Sequence, residues 1–207
     1  MQTESPTIYR MRWLPLLGIV TGILFLGALL IQKMGAAPTG VPAAPPTVTT
    51  LNTVKIESLG ITLLAPQNWH APALKDDHSF VLSPDGSSDT TSTAGPFLYG
   101  VVDALEVFSR QLTLRTDLDD PVAQLDALIK VINRDRARFT AAKPYTRAQY
   151  PAAFVEGIER GNELLIVLIK GEGGRWIYLG AQAREDQFPY YDVTVFKPAI
   201  NALSLIK

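Results

Sequence analysis

The sequence predicts an α+β fold, an antiparallel β-sheet with helices packed on its faces, carried behind one N-terminal transmembrane helix. Three observations lead there. Residues 152–183 hold three strand-like apolar runs joined by short glycine-bearing links. Asp120-Pro121 opens a run whose apolar residues recur at helical spacing. Near the N-terminus, 19 consecutive residues from Trp13 to Ile31 carry no charge.

That uncharged run comes first in the chain. As a helix rising about 1.5 Å per residue it spans roughly 28 Å, close to the ~30 Å hydrocarbon layer of a bilayer. Cleavable export signals have shorter apolar regions and small residues soon after them. Here the small residues Gly35-Ala36-Ala37 are followed by Pro38, which disfavours a scissile bond. The expectation is a retained transmembrane helix over 13–31, preceded by a short cytosolic tail over 1–12. Arg10 and Arg12 before the span, against Lys33 after it, point to a cytosolic N-terminus and an extracytoplasmic C-terminal domain. Trp13 suits the interface, and Pro15 falls in the first turn, where its missing N–H matters little. Gly18 and Gly22 form a G-x-x-x-G pair that would let a partner helix approach closely; chance occurrence in a glycine-tolerant membrane helix is the alternative.

Residues 32–50 read as a Pro/Ala/Thr-rich spacer. Four prolines between Gly35 and Thr50 favour polyproline II, about 3.1 Å per residue, so that stretch reaches on the order of 50 Å. The folded domain then occupies 51–207. The chain has 207 residues, no cysteine and a formal net charge of −1. That excludes disulfides, thiolate metal sites and a lipidated cysteine anchor, and gives no bulk attraction to nucleic acid.

Within the domain, Thr53–Glu57 and Ile61–Leu64 predict strands around a turn at Ser58-Leu59-Gly60. Phe80–Leu82 is a short strand closed by the Ser83–Gly86 turn, and a polar loop follows. Phe97–Val102 is a strand, with extension through Phe108 as one reading. Asp120 as N-cap and Pro121 at N1 start a helix over 121–133, with Val122, Leu125, Leu128, Ile129 and Ile132 on its apolar face. Ala152–Glu159, Glu163–Lys170 and Trp176–Ala183 form an antiparallel meander. Leu164–Ile169 is apolar without alternation, so it should be a central strand covered on both faces. Helix 121–133 and the C-terminal segment are the covers; the latter should break near Pro198 and end in a short helix over 198–203.

The string GITLLAPQNW (Gly60–Trp69) resembles the opening of PsbP-like domains, and VFKPAINALSL (Val195–Leu205) is similar to their closing pattern. The resemblance covers most of 51–207, and its motifs are structural: Gly60, Pro66 and Trp69 shape a turn and fill a core. It implies a PsbP-like α/β/α sandwich. Proteins of that family include an extrinsic subunit supporting photosystem II on its lumenal side, a Ran-binding transport factor and exported bacterial proteins. The implied role is a non-enzymatic binding or assembly module, though one fold hosts many functions.

Candidate sites are few. His70, Asp76, Asp77 and His78 would ligate zinc or another divalent ion if their loop folded back on itself, and a solvated turn has the same composition. Thr116–Asp120 holds three carboxylates without calcium-loop spacing, and acidic residues before a helix suit its N-terminus. Arg134–Arg147 has five basic residues against one acidic; Arg134, Arg136 and Arg138 would face an anionic partner or lipid headgroups, or only solvent. Gly171–Arg175 lacks phosphate-loop spacing and reads as a hairpin turn, and no nucleophile elbow is present.

The expected role is therefore a membrane-anchored, non-catalytic accessory or assembly subunit without a cofactor. Its partners would be the lipid bilayer and protein subunits of a larger membrane complex, such as a photosynthetic or respiratory electron-transfer assembly, with no nucleic acid. The alternative is an extracytoplasmic sensor or a module binding a small ligand or metal.

Overall fold

The computed structural model describes residues 50–90, 95–132 and 137–206. The expected transmembrane helix with Gly18 and Gly22, nearly all of the spacer, and Arg134 and Arg136 lie outside the described residues. Among the described residues no helix is long and apolar enough to cross a membrane.

Two strands, β1 (Leu51–Ile56) and β2 (Ile61–Pro66), pair antiparallel around a one-turn 3₁₀ segment, Glu57–Leu59. Gly60 closes that turn at φ 66°, in the left-handed region where a Cβ is unfavourable. Next come β3 (Ala73–Leu74), β4 (Ser79–Leu82) and β5 (Phe97–Val102). The chain does not extend β5 through Phe108. Asp103 turns it at φ 56°, and Ala104–Ser109 forms α1, which buries Leu105 and Phe108. Helix α2 (Pro121–Ile132) begins as the sequence predicts: the Asp120 carboxylate accepts from the Val122 and Ala123 N–H groups at 3.4 and 3.1 Å.

Two short strands, β6 (Arg138–Phe139) and β7 (Lys143–Pro144), follow, then the meander β8 (Ala152–Glu159), β9 (Asn162–Lys170) and β10 (Trp176–Arg184). At the C-terminus α3 (Phe188–Tyr191) runs through a π-helical stretch, Asp192–Phe196, into α4 (Lys197–Asn201), and β11 (Ser204–Leu205) ends the fold. The expected break at Pro198 does not occur. Pro198 lies in the first turn of α4, and the π-helical stretch ahead of it absorbs the altered backbone hydrogen bonding.

The eight-stranded antiparallel sheet runs β3-β4-β5-β10-β9-β8-β6, with β7 also on β8; a second sheet runs β1-β2-β11. β9 is central, as its unbroken apolar run predicts, and its side chains divide by parity. Leu165, Val167 and Ile169 enter a core closed by the small sheet and the C-terminal helical segment. Ile166 and Leu168 enter a second core under α1 and α2, with Phe108, Leu125 and Leu128. The result is three layers. Trp69 is buried against Tyr191, ring centroids 5.9 Å apart, so the tryptophan after β2 fills the first core as the sequence implies.

Candidate binding groove

Strand β8 places the groove. Ala152 and Phe154 pack toward the first core, and the same parity carries on to Glu156 and Ile158. Glu156 is exposed and Ile158 retains 48% of its surface, so the cover has ended by then. Register sets Glu156 opposite Leu165 and Ile158 opposite Glu163 on β9. The facing wall is the C-terminal helical segment. Between them lies a cavity of about 380 Å³ lined by Arg138, Glu156, Ile158, Glu163, Phe188 and Asp192, among others. A second cavity of about 240 Å³ is lined by Tyr145, Arg147, Phe154 and Lys197 and shares Glu156 with the first.

The electrostatics are uneven. Asp192 begins the π-helical stretch with its side chain only 13% exposed, and its Oδ2 pairs with Lys197 Nζ. The other carboxylate oxygen, Oδ1, is buried and without a hydrogen-bond partner. Among the described residues neither Glu156 nor Glu163 makes an ion pair. Desolvation holds the Glu163 carboxyl above its ordinary range, reinforced by the nearby carboxylates of Glu185, Glu156 and Asp192. The small cavity gathers two cations, Arg147 and the Asp192-paired Lys197, against the single carboxylate of Glu156. Tyr145 donates to Asn201 Oδ1 at 2.8 Å, tying the loop after β7 to α4.

The four residues expected to bind metal are not gathered. Among the described residues no three His, Cys, Asp or Glu side chains converge on a point that would hold an ion. The Asp76 carboxylate accepts from the His78 backbone N–H at 2.8 Å, closing a local turn instead, and Asp77 is exposed. The His78 ring faces Asp103, Nδ1 to Oδ2 3.9 Å. His70 lies against the Ser83–Gly86 turn, where a Cβ on Gly86 would come within 2.9 Å of its ring. The loop thus points its two imidazoles at different neighbours.

The other readings resolve individually. Asp120 caps α2, Asp117 binds Arg115 through both oxygens at 3.0 and 2.9 Å, and Asp119 pairs with Lys170, so the acidic run serves local structure. Glu172–Gly174 is the turn between β9 and β10. Of the three arginines singled out in the basic stretch, Arg138 lines the larger cavity. Sequence reasoning missed Glu156, Glu163 and Asp192. The first carries a readable signal: in AAFVEGIE a charge occupies the same alternation as Ala152, Phe154 and Ile158. Asp192 carries none, because the π-helical stretch that positions it has no simple sequence period.

No family model matches the chain, and no curated protein does. Among solved structures, the chain is similar to cyanobacterial PsbP (CyanoP) from Synechocystis sp. PCC 6803, at 12% identity over 82% of this chain and 99% of that one, with a TM-score of 0.48. The Saccharomyces cerevisiae Ran-binding protein Mog1p aligns at 10% identity over 76% of this chain and 96% of that one, TM-score 0.48. LpqN, a Mycobacterium tuberculosis protein involved in cell envelope biogenesis, aligns at 13% identity over 76% and 91%, TM-score 0.45. At these identities no activity or partner transfers from those proteins to this chain.

Proposed function

We propose that the chain is a membrane-tethered, non-catalytic accessory or assembly subunit whose domain binds a protein partner on the extracytoplasmic face of a larger membrane complex. Photosynthetic and respiratory electron-transfer assemblies are the class that the sequence resemblance to PsbP-like domains suggests. The observation that carries the binding role is the groove between β8 and the C-terminal helical segment, with an exposed Ile158 and with Glu156 and Glu163 outside any ion pair among the described residues. The uncharged run at 13–31 and the proline-rich stretch after it support tethering at a fixed reach from the bilayer. A tether raises the effective concentration of its domain near a membrane partner, so modest contacts suffice for occupancy.

Native-gel separation of membranes solubilised in mild detergent tests this reading. Co-migration of the full-length chain with a larger complex, and its recovery in the membrane fraction, are expected. Recovery always as an isolated chain, or in the aqueous fraction, overturns it.

A second reading is an extracytoplasmic sensor, favoured by the size of the larger cavity, about 380 Å³, which falls within the range of small-molecule sites. It predicts thermal stabilisation by a small metabolite in the absence of any protein partner.

A further inference from the structure

We propose that the two cavities act as one trough that docks an extended segment of a partner protein, with a basic side chain over Glu156 and Glu163 and an acidic side chain over Arg147. This rests on the partner-binding reading above and specifies the chemistry of the partner.

The shape comes first. Both cavities include Glu156, so they adjoin along β8. From Ile158 to Phe154 that strand advances about 13 Å at ~3.3 Å per residue. Along the opposite wall, Phe188 lines the larger cavity and Lys197 the smaller, so the helical segment runs from one cavity to the other as β8 does. The strand wall thus sets the length, about four residues of extended chain.

Charge gives the trough a direction. Glu156 and Glu163, both without an ion pair among the described residues, stand at the end where Asp192 adds a third carboxylate; Arg138 lines the same end, so carboxylates outnumber cations there without being fully matched. Arg147 stands at the other end and likewise makes no ion pair among the described residues. Lys197, between them, is already held by Asp192. Ile158, Phe188 and Pro189 line the acidic end and offer apolar surface to the methylene stem of a lysine or arginine whose head reaches the carboxylates. An uncharged occupant would leave both ends uncompensated.

The backbone excludes one mode of binding. At the middle of the trough the Glu156 carbonyl already accepts from the Thr140 N–H at 2.8 Å, and the Glu156 N–H donates to Thr140 Oγ1 at 3.1 Å. A peptide therefore cannot add as a further strand there, and recognition runs through side chains.

The test uses the purified full-length chain in detergent and fluorescein-labelled hexapeptides read by anisotropy. One set carries an arginine and an aspartate at varied spacing in both orders; the others carry arginine alone, aspartate alone, or neither. Mixed-charge peptides with one preferred order and spacing should bind most tightly. Glu156→Gln with Glu163→Gln should weaken them at least tenfold, and Arg147→Glu should shift preference toward peptides with arginine alone. Thermal melts of each variant establish that it is folded. Equal binding of uncharged peptides, a preference for aspartate alone, or unchanged affinity in the double glutamine variant overturns the proposal. The two readings fail separately. If the chain co-migrates with a complex and the double variant does so equally well, the trough is not the contact. If mixed-charge peptides bind and no complex is found, the accessory-subunit reading falls alone.

Discussion

Two places where carboxylates and cations gather at the sheet are built on opposite principles. At the corner between β5 and α1, Asp103 accepts from Arg175 Nε at 3.0 Å and from its Nη2 at 3.4 Å. The same guanidinium donates to the Leu59 carbonyl at 3.3 Å, and His78 faces Asp103 from β4's flank. Arg175 precedes β10, Asp103 follows β5, and Leu59 belongs to the turn of the small sheet, so one cation joins three elements. In the trough, Glu156 and Glu163 share a space with Asp192 and Arg138, and among the described residues Asp192 alone of the three carboxylates makes an ion pair, with Lys197. The corner is internally neutralised and therefore closed to newcomers. The trough holds one pair, Asp192 with Lys197, and leaves Glu156 and Glu163 toward one end and Arg147 toward the other outside any ion pair among the described residues. Residue type does not separate these regions; compensation does. The corner holds structure, and the trough retains the capacity to bind.

Breaking the corner should give the largest effect on stability. Asp103 occupies the left-handed region at φ 56°, unfavourable for an L-residue by roughly 1–2 kcal/mol, and its ion pair helps to hold it there. Both side chains of the pair are about one-third exposed, 35% for Arg175 and 31% for Asp103, so water screens part of their attraction. Arg175→Met should lower unfolding stability by about 1–2 kcal/mol, seen as a reduced urea midpoint, with peptide affinity unchanged. Loss of peptide binding in a folded Arg175→Met variant would show that the corner and the trough are coupled, and the contrast between them would be wrong.

A smaller effect is expected in the trough's own wall. Gly157 lets the Phe139 ring cross β8 closely: a Cβ there would lie 2.4 Å from Phe139 Cδ1 and 2.6 Å from Cε1. Gly157→Ala must therefore displace the half-buried ring, and it also crowds the Arg138 carbonyl, 3.1 Å away. A loss of about 1 kcal/mol follows, at the low end for overpacking. The ring lies on the second-core face of the sheet, but displacing it shifts β6 and with it Arg138, which lines the larger cavity, so the variant should also change the affinity for arginine-bearing peptides. An unchanged melting temperature together with unchanged binding would mean that the ring does not hold β6 in place.

The corner and the trough also differ in how much of each could be read from the sequence. The meander, α2 with its Asp120 cap, and the central position of β9 follow from periodicity and short turns, which are local properties. The helix at 104–109 was open to misreading because Leu105, Val107 and Phe108 suit either a strand or a helix; the left-handed turn at Asp103 decides it. Pro198 reads as a breaker, yet a proline in the first turn of α4 is accommodated. β6 and β7 are two residues each and gain their strand character from pairing with β8, so no local pattern announces them. Sites depend on longer range still. His70 and His78 are near in sequence and face different partners, whereas Glu163 and Asp192 are far apart in sequence and line one cavity because the C-terminal helical segment packs over the sheet.

Glu163 supplies the smallest effect and the most direct check on the contrast. Its carboxyl titrates above the usual range, first because it is partly desolvated and then because Glu185, Glu156 and Asp192 crowd it. An acid whose pKa is raised by folding opposes folding wherever it is ionised. That penalty is full above the raised pKa, shrinks as pH falls, and is gone below about pH 4, where the unfolded carboxyl is protonated as well. Glu163→Gln removes the charge and keeps the shape, so it should stabilise the protein at neutral pH by on the order of 0.5 kcal/mol, solvent screening included. At about pH 3 variant and parent should melt together. The substitution therefore trades binding for stability: the fold tolerates a repulsive carboxylate at the mouth of the trough, and the trough loses its grip on a basic side chain when that carboxylate goes. A variant less stable than the parent at neutral pH, or an advantage that grows on acidification, would mean that Glu163 is compensated as Asp103 is, and the trough would then be a second corner.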